Sequence, residues 1–388
     1  MIVKVLAITG SRADYGLLSG PLRAIRETDG LDLRLAVTGS HLSAEGETSR
    51  REILDDGFEI DAEIDPELSG DSPRHIAEAT GRITAAAAAV FADQAPDIAL
   101  VLGDRYEMLA VAISAALMEV SIAHIHGGEA TMGAIDDSLR NAITKLASLH
   151  FACAEPYRNR IIQMGELPER VFNVGAPGIE KLLKTPRAEP SEIWNLLGCE
   201  LPAPFVLVTY HPETAGSPDP ATDVAELLAA LKASRAGGIL FTGINEDARH
   251  NEVAATIQSF VAATPGRAAY VGNMGQRLYW TAMAHCAAVV GNSSSGIIEA
   301  PSLGVPTVNI GTRQQGRLRA GSVIDCVPAR EEILRALELA FDRDLALDRQ
   351  TPYGSGETSA LIARSLAGAD IGALSSKPFY DLVGGHAA

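Results

Sequence analysis

The feature that most constrains this chain is an alternation. Short runs dominated by Val, Ile and Leu end in glycine or a polar residue, and each gives way to sequence of helical period. In the first half the runs are VKVLAITG, LRLAVTG, IALVLGD, SIAHIHGG, LHFACAE and VFNVG; segments such as LLSGPLRAIRETD, YEMLAVAISAALMEV and DDSLRNAITKLASL lie between them. A strand that is apolar at nearly every position has no face to give to solvent, so both faces must be covered. Strands of this kind alternating with helices predict an α/β fold, a parallel sheet with helices on both sides. The cycle restarts at FVLVTYHP, GGILFTG, AAYVG, AAVVGN and VPTVNIG. The chain therefore reads as two doubly wound domains in tandem, as its 388 residues also suggest.

Between the two series, LKTPRAEPSEIWNLLGCELPAP holds prolines and charges but no strand, and predicts a linker over 183–204. The expected division is a first domain over 1–182, a second over 205–365 and a tail over 366–388. Packing of the tail back against the first domain is one option. SALIARSLAGA reads as a helix, and TAAAAAVFADQ as a helix that is either packed in the core or set at a subunit interface.

A net charge of −17 argues against nucleic acid or an anionic membrane as a general partner. It leaves room for a small anion, because local cations and helix N-termini can reverse the field within a cleft. Cys153, Cys199, Cys286 and Cys326 stand far apart without metal-ligand spacing and read as core thiols in a reducing compartment. No apolar segment resembles a signal peptide or approaches the roughly 20 residues of a membrane span, so a cytoplasmic protein is expected.

In doubly wound sheets ligands sit beyond the carboxyl ends of the strands, and with two domains the cleft between them is the expected site. The informative residues are thus the polar ones just after each run. TGSRADYG places Arg12 and Asp14 there, VTGSHLS places His41, VLGDRYE places Asp104 and Arg105, and AHIHGGE places His124, His126 and Glu129. VTYHPET adds His211 and Glu213, and VVGNSSSGIIEAP adds Asn292, Ser293, Ser294 and Ser295 ahead of a helix that carries Glu299. GSRADYG fits neither the dinucleotide fingerprint nor the P-loop, and a plain strand-to-helix turn capped by Asp14 remains an open reading. NSSSG offers hydroxyls, backbone N–H groups and a helix start to an anion such as a diphosphate, with simple capping as the alternative. His124 and His126 share one side of an extended strand, so one is core and the other site only if the strand ends between them. The histidines show no short metal-ligand spacing, and no metal is predicted. No G-x-S-x-G elbow supports a serine hydrolase.

Together GSRADYGLL, VLGDRYE, HIHGGEATMGAIDDSLRNAITKL, VTYHPET and GNSSSGIIEAPSLGVPTVNIGTRQQGR resemble the UDP-N-acetylglucosamine 2-epimerase family, most closely its hydrolysing branch. The resemblance runs in order from about residue 5 to 325. It implies a GT-B-like fold of two Rossmann-type domains, with UDP in the cleft and no cofactor. The chemistry it implies is removal of the C2 proton as UDP leaves C1, then hydration of the 2-acetamidoglucal to free N-acetylmannosamine. By position, Asp104 and Asp136 match the family's catalytic acids, and His211 its diphosphate-side histidine. His126 stands where many relatives carry Glu in HIEGG, with Glu129 able to share the task. Arg12, Ser293, Ser294 and Glu299 match UDP-binding positions, with Glu299 toward ribose, while Asp14, His41, Ser295 and Asn292 line the same loops. Arg105 and Arg140 are supports for acids or phosphates, and Asn141 stands where RHAITK relatives have His. Relatives are commonly dimers or tetramers, so a homo-oligomer is expected. The alternatives are the same reaction on UDP-N,N′-diacetylbacillosamine, a non-hydrolysing epimerase, a GT-B glycosyltransferase and a silent UDP-sugar binder.

Overall fold

The structure is a computed structural model, and it describes residues 2–43, 46–67, 70, 72–130, 135–212, 220–243, 250–341 and 351–382. The chain divides into two compact units, one of Met1–Lys181 with Tyr353–Ala388, the other of Leu182–Pro352.

The first unit holds a seven-stranded parallel sheet ordered β3-β2-β1-β4-β5-β6-β7. Its strands are β1 Val3–Thr9, β2 Leu31–Thr38, β3 Ala62–Ile64, β4 Ile98–Leu102, β5 Ser121–Ile125, β6 Leu149–Ala152 and β7 Val171–Asn173. The continuous apolar runs are explained by two cores, one on each face. In β4, Ile98, Leu100 and Leu102 point into one core, and Ala99 and Val101 into the other, following the period of two that every strand imposes. Helix Arg12–Arg26 covers the first face with Tyr15, Leu18, Leu22 and Ile25. Helices Pro73–Gln94 and Tyr106–Leu117 cover the second. The Ala-rich segment lies within Pro73–Gln94, which buries Ala79, Ile83, Ala87 and Phe91 at helical spacing. Small side chains there let the helix sit close to its neighbours.

The second unit repeats the plan with six parallel strands ordered β10-β9-β8-β11-β12-β13. They are β8 Phe205–Thr209, β9 Gly238–Thr242, β10 Ala268–Val271, β11 Ala288–Gly291, β12 Thr307–Ile310 and β13 Val323–Cys326. Val206 and Val208 enter one core, Phe205 and Leu207 the other.

Two expectations about boundaries are corrected. The segment 183–204 is not a linker: it forms helix Pro190–Leu197, whose Ile193 is fully buried in the second unit's core beside Leu201 and Phe205. Its prolines and charges are start signals, since Pro190 opens the helix and Glu189 with Glu192 forms a capping box. The helix Thr358–Ala367 lies in the first unit rather than the second, because Ile362, Ala363 and Leu366 complete the core over β1 and helix Arg12–Arg26. The returning chain is pinned by the buried Glu180 carboxylate, which accepts from the Ser359 backbone at 2.6 Å and its hydroxyl at 2.5 Å. Within 366–382, Arg170 donates to the carbonyls of Ser376 (2.7 Å) and Ala373 (2.8 Å).

Cys153 and Cys286 are buried free thiols, as a core role requires, but Cys199 is exposed and Cys326 half-buried. Among the described residues, no helix is long and apolar enough to cross a membrane.

Candidate active site

In the first sheet β1 and β4 are neighbours, yet the helices that follow them pack on opposite faces. The chain therefore parts at their carboxyl ends, the place where such sheets leave a crevice. Ser11, not Asp14, caps the helix after β1, accepting from the Asp14 N–H at 3.2 Å. Asp14 is left with a buried Oδ2 that has no hydrogen-bond partner among the described residues. Burial raises its carboxyl above the usual range, only partly offset by Ser11 and Arg105. Arg12 is exposed and paired with Glu52 at 2.8 Å. After β4, Arg105 forks onto Glu107 with bonds of 3.1 and 2.7 Å. Glu107 itself has no solvent exposure, so the guanidinium is anchored from below by a carboxylate that needs it.

Asp104 forms a close ion pair with Arg140, which reaches it from helix Ile135–Leu146. Arg140 is buried and also donates to the Glu129 carbonyl at 2.9 Å and to Asp137 at 3.3 Å. One side chain thus ties the loop after β4, the loop after β5 and the head of a helix.

Strand β5 ends at Ile125, between the two histidines. His124 stays in the core, fully buried; its Nε2–H donates to the Gly103 carbonyl at 2.7 Å, and Nδ1 accepts from Thr144 at 3.2 Å. Burial holds its pKa down at about 3, so the ring is neutral. His126 instead takes φ +66°, a left-handed conformation that is rare for a side-chain-bearing residue. This turn carries its Nδ1 onto Glu129 and leaves Nε2 enclosed with no partner among the described residues. Glu129 also accepts from the Cys153 thiol at 3.2 Å. Burial opposes a charge on Glu129, but His126, the thiol and Arg140 outweigh it and hold the group at about 2. Asp136 heads its helix with an exposed side chain.

In the second sheet the corresponding parting falls between β8 and β11. Gly291 has φ +133°, and a Cβ there would stand 2.0 Å from the Thr209 carbonyl oxygen, so only glycine lets the two strand ends close up. Asn292, fully buried, then clamps the backbone of His211: its Oδ1 accepts from the His211 N–H at 2.7 Å and its Nδ2 donates to the His211 carbonyl at 2.8 Å. Gln314, also buried, donates to the Asn292 carbonyl at 2.8 Å. Beside this clamp lies a cavity of about 320 Å³ lined by Thr209, His211, Gly243, Gly272, Tyr279, Ser293 and Ser295, among others. Ser293 caps the helix Ser294–Ile298, and Ser295 shares a 2.6 Å hydrogen bond with Tyr279. Burial raises the Glu299 carboxyl to about 7 against a hydrogen bond from Trp280.

A family model described as UDP-N-acetylglucosamine 2-epimerase matches residues 23–367. The chain belongs to the UDP-N-acetylglucosamine 2-epimerase family. It is an enzyme family acting on nucleotide sugars, and relatives name its reactions more narrowly. The polysialic acid biosynthesis protein P7 of Escherichia coli is 35% identical over 340 residues, 87% of this chain and 86% of that one. A hydrolysing GDP/UDP-N,N′-diacetylbacillosamine 2-epimerase of Campylobacter jejuni is 34% identical over 322 residues, 83% of this chain and 84% of its own. Among solved structures, the Neisseria meningitidis UDP-GlcNAc 2-epimerase bound to UDP-GlcNAc superposes with a TM-score of 0.75 at 18% identity, covering 94% of this chain and 99% of that one. That likeness establishes the fold, the GT-B type.

Set against the sequence expectations, this epimerase brings Asp104, Arg140, His126 and Glu129 together in its first unit, and His211, Asn292, Ser293 and Ser295 in its second. Three expectations need correcting. His41, read as a ligand contact, is fully enclosed between Thr9 (3.1 Å) and Ser49 (2.9 Å), and burial lowers its pKa to about 4. Asn292, read likewise, spends its side chain on the His211 backbone. The helix expected to carry Glu299 ends at Ile298, leaving that residue as its C-cap. Glu213, and residues 131–134 before Asp136, lie outside the described residues. Sequence reasoning missed Glu107, Cys153, Tyr279 and Gln314. Two of them carried a signal: Glu107, an acid two residues after Arg105, and Cys153, near the end of the run LHFACAE.

Proposed function

We propose that this epimerase is of the hydrolysing kind and converts UDP-N-acetylglucosamine and water to N-acetylmannosamine and UDP. The observation that carries the reading is the linked set Asp104–Arg140–Glu129–His126 at the carboxyl ends of β4 and β5. Inversion at C2 needs one group to take a proton from one face and another to return it to the opposite face. Two chemically different pairs are assigned to that: a carboxylate held by a guanidinium, and an imidazole held by a carboxylate. In the first step the C2–H bond breaks toward a base, the C1–C2 double bond forms, and the C1–O electrons leave with UDP. In the second, water adds its hydroxyl to C1 while a proton reaches C2 from the other face.

Asp104, His126 and Asp136 are the acid/base candidates. Glu129 fixes the His126 tautomer by accepting from Nδ1–H, which leaves the Nε2 lone pair for chemistry. In the second unit His211, Ser293, Ser294 and Ser295 are assigned to the diphosphate and Glu299 to the ribose diol, with Asn292 holding His211 in place. The helix behind the serines has only five residues, so its hydroxyls and N–H groups rather than a long dipole would do the binding. Arg12, Arg105 and Asp14 border the same loops of the first unit and are assigned to substrate contacts there.

A second reading keeps the chemistry and changes the sugar to UDP-N,N′-diacetylbacillosamine; the 34% identity to the Campylobacter enzyme of that name favours it. Proton NMR in D2O decides. Free N-acetylmannosamine deuterated at C2, with UDP, is the expected outcome. Accumulating UDP-N-acetylmannosamine would make the enzyme non-hydrolysing. Turnover of the bacillosamine nucleotide alone would select the second reading.

A further inference from the structure

We propose that His126, Glu129 and Cys153 form a binding site for a divalent cation of the zinc class. His126 and Glu129 stand in the loop after β5, and Cys153 is the first residue beyond β6, its pairing partner. The donor atoms of the three all lie within 4.8 Å of one another. Around one tetrahedral zinc, with bonds of about 2.0–2.3 Å, donors stand roughly 3.3–3.8 Å apart. Small rotations therefore close the cluster on an ion.

The donor set decides the class. One nitrogen, one carboxylate oxygen and one sulfur suit zinc and its neighbours, whereas calcium and magnesium take oxygen ligands. The backbone supports the assignment independently. His126 holds a left-handed φ of +66°, and its imidazole lies on Glu129. The Glu129 side of the cluster is braced by Arg140, which donates to the Glu129 carbonyl at 2.9 Å.

Binding has a defined proton balance. Zinc takes the Nδ1 position, so the imidazole proton moves to Nε2 and stays on the ring. The Cys153 thiol proton goes to solvent, and the carboxylate gives up none. Thiolate and carboxylate then neutralise the ion, with one proton released. If His126 serves as proposed above, a proton on Nε2 removes its basic lone pair, and zinc inhibits. That consequence alone rests on the proposed function.

The test uses the full chain, stripped with a chelator and titrated with Zn2+ by calorimetry in buffers of different ionisation enthalpy. Co2+ is added in parallel and followed spectrophotometrically. One zinc per chain is expected, with release of about one proton. Its affinity should fall at least about tenfold in both Cys153→Ser and His126→Gln. Cobalt should give a thiolate charge-transfer band that Cys153→Ser loses, with the exposed Cys199 still present as control. Circular dichroism checks that each variant is folded. Unchanged affinity in the two folded variants, or no cobalt–sulfur band, would mean an adventitious ion only and overturn the proposal. Stoichiometric binding without inhibition would uphold the site and remove His126 from the acid/base set.

Discussion

The two units share a sheet plan but furnish their strand ends in opposite ways. At the carboxyl ends of β4 and β5 the first unit concentrates ionisable groups and pairs them: Asp104 with Arg140, Arg105 with Glu107, His126 with Glu129. At the parting of β8 and β11 the second unit offers hydroxyls, an amide clamp and open volume. Carboxylates and imidazoles can take and give protons, whereas hydroxyls and amides bind without moving them. The contrast teaches that one fold, used twice, can carry two different sets of functional groups through loop residues alone; the division of proton chemistry from ligand binding proposed above would rest on it.

The largest effect that tests this division is expected at Asp104. Asp104→Asn should lower kcat by about 10²- to 10⁴-fold while UDP affinity stays within about twofold, measured by NMR turnover and calorimetry. A matching loss of UDP affinity would break the comparison. Next comes Arg140→Met, which strands a partly buried carboxylate. A stability loss of about 3–5 kcal/mol is expected in urea unfolding, because one partner of a buried pair is removed and the other remains. A loss near zero would show that the pair is not what joins the two loops.

In the second unit Asn292→Ala removes both hydrogen bonds to the His211 backbone. It should cost about 1–3 kcal/mol of stability and weaken UDP binding about tenfold; unaltered UDP affinity would separate the clamp from the ligand site. Glu299 supplies a pH test. Its folded pKa of about 7 lies above the ordinary 4.5, so burial favours the protonated form. The stability it contributes is present below the unfolded value and is lost as pH rises through about 7. Melting curves of the parent and Glu299→Gln should therefore converge or cross between about pH 5 and 8 as the parent loses that advantage. Over the same window UDP affinity should rise in the parent alone, because the ionised carboxylate accepts from the ribose hydroxyls. Smallest of all, Ser294→Ala should raise the UDP dissociation constant about threefold, one hydroxyl's worth, with kcat unchanged.

How much of this was readable beforehand varies by element. The apolar runs located eleven strands and missed two of the four edge strands, β3 and β13. Those are only three and four residues long, and Glu63 and Asp325 break their apolar runs, which an edge strand tolerates. The loops that carry the candidate site were also readable, because a polar residue at the end of a buried strand has no packing reason to be there. Pairings across those loops were not. Arg140 meets Asp104 across 36 positions and Cys153 meets Glu129 across 24, separations that no local pattern encodes.

By itself, then, the amino-acid sequence determined the two-sided parallel sheets, through period and composition, and the family, through the order of its motifs. Tertiary structure alone decided which of two histidines stays in the core and which turns onto Glu129 in the loop after β5. The strand ends at Ile125, and a left-handed turn at His126 reverses the side to which its imidazole would have pointed. It also decided that 353–382 belongs with the first unit, because the core over helix Arg12–Arg26 is completed only by apolar side chains that return from the far end of the chain. Periodicity is a local property of the backbone; partners are set by which strand ends lie side by side, and that is known only once the sheet is ordered.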